Sequence, residues 1–295
     1  MRVFVTGASG FVGSAVVKDL IDNGHKVLGL VRSEKGAEQV AAMGAEPLLG
    51  DINDEQAITK AALACDAVIH TAFNHDFTQY KASCEADRRV ISIFGDALAG
   101  TKKPLVVTSG VGLISDGREV TELDALPAGA DKIPRAASEE AANAAIAKGV
   151  NAYIVRLSPS VHDKGDHGFV PMVIDIAQAK GVSAYVGDGN NVWPGVHRTD
   201  AAALYRLIVE KQPDLRVLNA VSERGIPFRE IAEIISEKLN IPLQSKMGEA
   251  VAEHFGWLAH FAAVSCPSLS EQTRKVLGWE PKGIDLLDDI RANYF

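Results

Sequence analysis

Three glycines near the N-terminus constrain the fold of this chain more than any other feature. The sequence VTGASGFVG places Gly7, Gly10 and Gly13 between a β-branched strand at residues 2–7 and an amphipathic helix. Gly7 permits a tight turn, Gly10 lets the backbone approach a pyrophosphate, and Gly13 lets the helix pack closely on the strand. The free N–H groups at the start of the helix favour phosphate binding. We therefore predict a dinucleotide-binding turn rather than a merely tight connection.

Strands and helices are predicted to alternate through the first half of the chain. The predicted strands are residues 2–7, 26–32, 46–51, 66–73, 104–110 and 151–159, and the predicted helices are 13–24, 36–44, 54–64, 85–100 and 135–149. Apolar, β-branched strands separated by helices are typical of a parallel sheet covered on both faces. The predicted fold class is α/β, a doubly wound parallel sheet of the Rossmann type.

The pattern becomes irregular after Pro159, where loops rich in Gly, Asp and Asn carry His and Trp side chains. Two later segments, 227–240 and 269–279, are predicted as helices. We expect residues 1–160 to form the dinucleotide-binding domain, with further sheet and helix segments in 190–225. Residues 161–295 are expected to form mainly a smaller C-terminal substrate lobe over the carboxyl ends of the strands, where open α/β sheets bind ligands.

Composition excludes several classes of protein. A net charge of −8 argues against nucleic acid as a partner, and no apolar run is long enough to span a bilayer. The N-terminus enters a strand directly, so we expect no signal peptide. Three widely separated cysteines predict neither a disulfide framework nor a zinc site, and HDKGDH (162–167) is interpreted as a turn rather than a metal site. We expect a cytoplasmic protein that binds a small molecule.

The end of the second predicted strand indicates which nicotinamide cofactor is bound. A cofactor with a free 2′-hydroxyl usually meets Asp or Glu here, but this chain has Arg32. An arginine can form two charge-assisted hydrogen bonds with a 2′-phosphate, which favours NADPH over NAD, unless Arg32 is only a solvated surface residue. Asp51 and Ile52, after the third strand, are candidates to contact the adenine. Residues 71–73, after the fourth, would pass the ribose and phosphates.

The order T-G-x-x-G-x-x-G, VR, GD and VIHTA resembles the extended short-chain dehydrogenase/reductase superfamily, and GHKVLGLVRS resembles its NADPH-using, dihydroflavonol-reductase-like members. The segments YIVRLSPSVH, VHRTDAAALY and TRKVLGWEPK are similar to later parts of that family, so nearly the whole chain is covered. The resemblance implies a Rossmann fold, a nicotinamide cofactor and a homodimer through the helices at 85–100 and 135–149. The predicted cofactor-binding residues are Thr6, Gly7, Ser9, Gly10, Phe11, Val12, Gly13, Arg32, Asp51, Ile52, Thr71, Ala72, Phe73 and Pro159.

The resemblance fails at the residues that carry the superfamily's chemistry. That chemistry uses a serine after the fifth strand and Tyr-x-x-x-Lys on the next helix. Aligning VVTSGVGL places Gly110 at the serine and leaves Ser109 one residue earlier, and RAASE places Arg135 at the tyrosine and Glu139 at the lysine. No tyrosine lies between Tyr80 and Tyr153, so a small shift of the alignment does not restore the motif. The chain therefore resembles the superfamily's atypical subgroups.

Arg135 and Glu139 are four residues apart and share one face of the predicted helix. Either they form an ordinary intrahelical ion pair, or both lie at the mouth of the cofactor cleft, with Arg135 polarising a carbonyl or binding an acidic substrate. Arginine stays protonated, so another group must donate the proton. His162, just after the sixth strand, is the first candidate, and His70, His167 and His197 are others. The predicted catalytic residues are Ser109, Arg135, Glu139 and His162.

Three functions are compatible with these features. The first is an NADPH-dependent oxidoreductase that transfers hydride to a small carbonyl-type substrate with a non-standard proton donor. The second is a catalytically silent sensor of NADP(H), and the third is a nucleotide-sugar epimerase or dehydratase, against which Arg32 argues. Aromatic and apolar residues in segments expected near the pocket suggest an apolar or aromatic substrate, unless they only join the lobe to the sheet: Phe77, Phe169, Val170, Tyr185 and Trp193.

Overall fold

A computed structural model describes residues 1–115 and 117–295, except for the side chain of Phe77. The strands are β1 (Arg2–Thr6), β2 (Lys26–Val31), β3 (Glu46–Leu49), β4 (Ala67–His70), β5 (Leu105–Gly110), β6 (Ala152–Leu157), β7 (Ser160–His162), β8 (Ser183–Val186), β9 (Val192–His197), β10 (Val217–Ala220), β11 (Glu223–Pro227) and β12 (Leu243–Lys246). The helices are α1 (Phe11–Asp22), α2 (Glu34–Ala42), α3 (Glu55–Ala64), α4 (Tyr80–Leu98), α5 (Ala136–Ala147), α6 (Phe169–Lys180), α7 (Arg198–Lys211), α8 (Phe228–Leu239), α9 (Glu249–Phe255), α10 (Ala259–Ala263), α11 (Glu271–Leu277) and α12 (Leu286–Asn293).

The central sheet has seven parallel strands in the order β10-β6-β5-β4-β1-β2-β3. The chain runs outward from β1 to β3 and then returns to the other side of β1 with β4. This reversal leaves a crevice beyond the carboxyl ends of β1 and β4, the position where doubly wound sheets bind ligands. The predicted α/β, doubly wound fold class is confirmed.

Helices cover both faces of this sheet. On one face α1 and α7 pack together, with Val16, Leu20 and Ile208 in their shared core. On the other face α3, α4 and α5 bury Ile58, Phe94 and other apolar side chains against the strands. Because helices cover both faces of the sheet, the side chains on both sides of each strand are apolar. The strands therefore appear in the sequence as continuous runs of apolar, β-branched residues.

The C-terminal lobe has its own apolar core. Strands β7, β9 and β11 form a three-stranded sheet, and β8 pairs with β12. Residues from α6, α8 and α12 pack around Trp193 and Phe228 in a separate cluster. No helix in the described part of the chain combines the length and the apolar character needed to cross a membrane.

The predicted elements are all present, and their ends differ where tertiary contacts decide them. Helix α4 begins at Tyr80 rather than residue 85, because a short 3-10 turn at Phe77–Gln79 leads directly into it. The Asp76 carboxylate accepts a hydrogen bond from the Thr78 N–H at 3.0 Å and fixes that turn. Strand β4 ends at His70 rather than residue 73, because the Thr71 hydroxyl donates to the Thr6 carbonyl at 2.7 Å and draws the chain over β1.

Candidate nucleotide and substrate site

The glycine turn lies between β1 and α1, at the crevice of the sheet. Gly7 has φ +67°, a conformation that favours glycine, and its N-terminal neighbour Thr6 is the last residue of β1. A Cβ on Gly13 would lie 2.0 Å from the Gly7 carbonyl oxygen, and one on Gly10 would lie 3.1 Å from the same atom. Side chains at positions 10 and 13 would therefore crowd the backbone of the turn, and a tight glycine turn at a helix N-terminus is suited to a dinucleotide's diphosphate.

The end of β4 closes one side of this turn. A Cβ on Gly7 would lie 2.8 Å from the Ala72 nitrogen, so the two backbones are in direct contact. The Thr6 hydroxyl accepts a hydrogen bond from the Ala72 N–H at 3.3 Å. Thr71, Ala72 and Phe73 are half-buried at this edge. The predicted ribose and phosphate contacts are therefore grouped with the glycine turn.

The carboxyl ends of β2 and β3 form an exposed end of the crevice. The Asn53 backbone and side-chain N–H groups lower the pKa of Asp51, and the Arg32 charge lowers it further, so Arg32 and Asp51 lie near one another. Ser33 caps α2 by accepting from the Gly36 N–H at 3.2 Å. Arg32 is exposed and Ile52 is half-buried against the core below. An open cation at this position is suited to a phosphate.

Side chains from the second half of the chain reach the start of α1. The Arg198 guanidinium lies 4.7 Å from the centroid of the Phe11 ring, and the His167 ring meets the same ring edge-on at 5.7 Å. Arg198 Nε is 3.4 Å from an Asp163 carboxylate oxygen. Val12 packs against the core beneath. The loop after β7 thus brings His167, and the start of α7 brings Arg198, to the N-terminal end of α1.

Three further predicted cofactor residues sit on the walls of the crevice. Ser9 approaches α2, because its hydroxyl oxygen would lie 3.2 Å from a Cβ on Gly36. Gly10 is the exposed N-cap of α1. Pro159 lies between β6 and β7 and faces the turn after β5, where a Cβ on Gly112 would be 3.8 Å from its ring. All three border the same crevice.

Arg135 immediately precedes α5 and is held by three partners. Its guanidinium donates to the Asp87 carboxylate at 2.8 Å, to the Thr108 carbonyl at 3.1 Å and to the Ser138 hydroxyl. The same group stacks 4.1 Å above the centroid of the Phe73 ring. Of the two interpretations left open for Arg135 and Glu139, the intrahelical ion pair is not formed, because α4 supplies Asp87 as the partner of Arg135. Arg135 is therefore a fixed side chain at the inner wall of the crevice.

Asp87 links Arg135 to the glycine turn through a buried chain of hydrogen bonds. Its carboxylate accepts from His70 Nε2 at 2.9 Å, and His70 Nδ1 lies 2.7 Å from the Thr6 hydroxyl. In a neutral ring, Nδ1 accepts the hydrogen of Thr6. Burial opposes ionisation of Asp87, but the charges of His70 and Arg135 and the hydrogen bonds from His70 and Ser138 together hold its pKa at about 2. His70 therefore connects Thr6 to Asp87 and is too buried to act as an acid toward a substrate.

Glu139 belongs to a second buried cluster. Both of its carboxylate oxygens pair with Arg156 of β6, at 2.9 Å to Nε and 2.8 Å to the terminal nitrogen. The Ser109 hydroxyl donates to the same carboxylate at 2.7 Å. Arg156 also donates to the Asp124 carbonyl at 2.8 Å. Glu139 is only 1% exposed, so it braces α5 against β5 and β6, and Ser109 is engaged in the same contact.

His162 is fully buried at the end of β7. Its Nδ1 lies 2.8 Å from an Asp289 carboxylate oxygen on α12, and its Nε2 lies 3.6 Å from a Glu223 oxygen. Burial opposes the charged ring, but these two carboxylates raise the pKa of His162. The ring packs edge-on against His197 at 5.4 Å. The arrangement anchors the C-terminal helix, and an enclosed ring is poorly placed to deliver a proton to a substrate.

The aromatic residues of the later loops mostly build the lobe. Trp193 is 2% exposed and donates its indole N–H to the Phe261 carbonyl at 3.2 Å, while Phe169 stacks on Phe261 at 4.8 Å. Val170 is buried in the same core, and Tyr185 lies beside Arg229. These residues therefore pack in or against the apolar core of the lobe and do not line an open pocket. The Phe77 side chain lies outside the described part of the chain.

Residues that the sequence analysis missed complete the inner end of the crevice. Phe73 is flanked by the Arg135 guanidinium, by His75 at 5.1 Å and by Tyr80 at 6.3 Å between ring centroids. Partial desolvation of the ring and the charges of Arg135 and His167 lower the pKa of His75. We call Phe73, His75, Tyr80 and Arg135 the inner mouth.

The sequence analysis did not identify Asp87 and Arg156 as ion-pair partners, although both are charged residues at positions where the sequence pattern is otherwise apolar. Arg156 lies in the otherwise apolar strand YIVRL, and Asp87 lies on the apolar face of α4. A buried charge requires a partner, so each predicts an ion pair, although the sequence does not show with which residue.

Proteins of similar sequence and structure identify the family of this chain. The sequence profile of the NAD dependent epimerase/dehydratase family covers residues 3–221. An uncharacterized protein of Schizosaccharomyces pombe is 45% identical and spans 100% of both chains. A decarboxylating sterol-4-alpha-carboxylate 3-dehydrogenase of Dictyostelium discoideum is 28% identical over 77% of this chain and 73% of its own.

A crystal structure of dTDP-glucose 4,6-dehydratase from Streptomyces venezuelae, with NAD bound, covers 100% of this chain and 96% of that one with a TM-score of 0.78. At 18% identity this likeness shows the fold alone. The family profile and the 45% identical relative both span the glycine turn and the segment of α5 where Arg135 and Glu139 replace the usual pair. This chain therefore belongs to the NAD dependent epimerase/dehydratase family, as an atypical member of the extended short-chain dehydrogenase/reductase superfamily.

Proposed function

We propose that this protein is an NADPH-dependent oxidoreductase that reduces a small carbonyl-type substrate with an apolar or aromatic part. The observation that carries the proposal is the tight glycine turn, where a Cβ on Gly13 would lie 2.0 Å from the Gly7 carbonyl oxygen, combined with the exposed Arg32 beside Asp51. The first feature suits a diphosphate, and the second suits a 2′-phosphate.

The residues present fit a nicotinamide dinucleotide along the whole crevice. The glycine turn would hold the diphosphate, Arg32 the 2′-phosphate, and Asp51 with Ile52 the adenine. Residues 71–73 and Pro159 would border the riboses and the nicotinamide. When bound, the nicotinamide supplies or accepts a hydride, and the protein has to position the acceptor and provide for the proton.

Arg135 is placed to orient the substrate. Its guanidinium is fixed by Asp87 and the Thr108 carbonyl, so little side-chain freedom remains to be lost when a ligand binds. A fixed guanidinium can polarise a carbonyl oxygen or pair with a carboxylate. The Phe73 ring beneath it offers an apolar surface to the rest of the substrate. Neither buried Glu139 nor enclosed His162 enters this scheme as an acid.

Reduction is favoured over the other two functions by specific features. A silent sensor has no need of a fixed guanidinium at the inner mouth. An epimerase or dehydratase of this family uses NAD, which does not call for the cation at Arg32. The name of the 28% identical Dictyostelium relative describes a dehydrogenase, which is also oxidoreductase chemistry.

The test is NADPH binding by calorimetry, followed by NADPH consumption with a panel of ketones, aldehydes, imines and enones. We expect NADPH to bind more tightly than NADH and at least one class of carbonyl compound to be reduced. Failure to bind either nucleotide would refute the proposal. Binding without turnover on the whole panel would favour the sensor, and conversion of a nucleotide sugar without net oxidation would favour the epimerase.

A further inference from the structure

We propose that Tyr80, from the first turn of α4, is the proton donor of this site and replaces the tyrosine that α5 lacks. This inference rests on the proposed reductase function. It assigns a catalytic role to a residue from a different helix, and it makes Arg135 the cation that stabilises the resulting phenolate.

Position is the first argument. Tyr80 begins α4 at the carboxyl edge of the sheet, and its ring meets the Phe73 ring at 6.3 Å with an interplanar angle of 77°. Together they pack on Ala136 and Ala137, the first two residues of α5. The Arg135 guanidinium stacks on the same Phe73 ring. Tyr80 and Arg135, which stands at the position of the family's tyrosine, therefore contact the same Phe73 ring.

The other tyrosines lie elsewhere in the fold, whereas Tyr80 lies at the inner mouth with its hydroxyl hydrogen-bonded to the Cys84 thiol. The chain has five tyrosines. Tyr153 is buried in the sheet core under Arg216, Tyr205 is buried against the Thr108 hydroxyl, Tyr294 donates to Asp166, and Tyr185 lies beside Arg229 in the lobe. Tyr80 alone among the five is half-buried at the inner mouth.

Electrostatics support the assignment. Burial raises the pKa of Tyr80 to about 12, and the neighbouring Cys84 contributes to this rise, whereas the Arg135 charge lowers it. The phenol therefore keeps its proton throughout the neutral range. His75, the other titratable group at the inner mouth, has a lowered pKa and is largely unprotonated there. Of the two groups, Tyr80 has the proton to donate.

The step balances with these residues. Bound NADPH would supply the hydride to the carbonyl carbon and become NADP⁺, and the electron pair of the broken C=O π bond would move to oxygen. That oxygen takes the hydrogen of the Tyr80 hydroxyl, and the O–H bonding pair stays on the phenolate. The Arg135 guanidinium stabilises the phenolate until water returns the proton. No other oxidant or reductant is required.

The first measurement is turnover of Tyr80→Phe with the best carbonyl substrate. We expect kcat to fall by roughly 10²- to 10⁴-fold, as for loss of a positioned general acid, with the NADPH dissociation constant changed less than about threefold. Tyr185→Phe, in the lobe, is the matched control and should retain wild-type turnover. A loss of less than about tenfold in Tyr80→Phe, while the wild type remains active, overturns the Tyr80 assignment and leaves the reductase proposal intact.

The second measurement does not depend on activity. A fluorotyrosine placed at position 80 gives a fluorine NMR signal that reports its surroundings and its ionisation. We expect the signal to move when NADP is added, and its ionisation midpoint to rise in an Arg135→Gln background because a stabilising cation is lost. A signal that ignores both NADP and the Arg135 substitution overturns the proposal even if no substrate has been found.

Discussion

The two ends of the nucleotide crevice are built in opposite ways. At the adenine end, Arg32 and Asp51 are exposed, and the diphosphate turn is defined by backbone conformation and the absence of side chains. At the nicotinamide end, Arg135 and Glu139 are each tied to a buried partner. Exposed charges contribute little to stability and are available to a ligand, whereas buried pairs fix side chains and are costly to disrupt.

The contrast shows how α5 stays docked on the sheet without the superfamily's usual Tyr-x-x-x-Lys pair. Glu139 stands at the lysine position, and Arg156 on the adjacent strand neutralises it. Arg135 stands at the tyrosine position, and Asp87 on the adjacent helix neutralises it. Each replacement is thus compensated by a neighbouring element of opposite charge, and α5 stays docked on the sheet.

The largest expected effect tests whether Glu139 is structural. Glu139→Ala leaves the buried Arg156 guanidinium without its carboxylate, and we expect the free energy of unfolding to fall by about 3–5 kcal/mol. Urea denaturation followed by circular dichroism measures this change. Asp96→Ala, which breaks the exposed pair with Lys148, is the control and should cost at most about 1 kcal/mol. Equal losses of unfolding free energy in the two variants would contradict the structural role of the buried Glu139–Arg156 pair.

Substitution of Gly13 in the glycine turn should lower both the affinity for NADPH and the free energy of unfolding. In Gly13→Ala the added Cβ would overlap the Gly7 carbonyl oxygen, so the turn must shift, at a cost of about 1–3 kcal/mol in the free energy of unfolding. We expect calorimetry to show NADPH affinity reduced by at least about tenfold. Gly50→Ala, where the nearest atom is 3.5 Å away on Leu30, is the control. Unchanged affinity in Gly13→Ala would argue that nucleotide does not use this turn.

The Asp87 cluster predicts an acid-dependent loss of stability. The folded pKa of about 2 lies below the ordinary value of 3.8, so ionised Asp87 stabilises the fold above that value. This contribution, about 2 kcal/mol, is lost as the pH falls from about 5 through 2. Asp87→Asn should remove this part of the pH dependence in thermal unfolding curves. A variant whose stability declines with acid as steeply as the wild type would show that other carboxylates are responsible.

The smallest expected effect is at the exposed adenine end. Arg32→Asp should change the ratio of NADPH to NADH affinity by at least about tenfold toward NADH, or about 1.4 kcal/mol. Stability should be nearly unchanged because Arg32 is exposed. Lys26→Asp makes the same change of charge at the opposite end of β2 and should leave the ratio unaltered. If both variants shift the ratio of NADPH to NADH affinity equally, the shift is a general effect of charge and the proposed contact of Arg32 with the 2′-phosphate is refuted.

Local patterns were sufficient to predict the Rossmann half. The glycine spacing, the β-branched strands and the helices between them each depend on near neighbours, so their order and type were predicted from the sequence. The ends of β4 and α4 were misplaced by several residues because Thr71 and Asp76 make contacts that no periodicity reveals. The position of Tyr80 at the inner mouth follows from that earlier start of α4.

The sequence by itself determined the fold class, the family resemblance, the place of the glycine turn and the absence of the Tyr-x-x-x-Lys pair. Only the tertiary structure decided what Arg135, Glu139 and His162 do, because their partners Asp87, Arg156 and Asp289 lie 48, 17 and 127 residues away. Spacing along one helix suggested that Arg135 and Glu139 pair with each other. Burial required each charge to have a close partner, and the packing of α4, β6 and α12 determined which one.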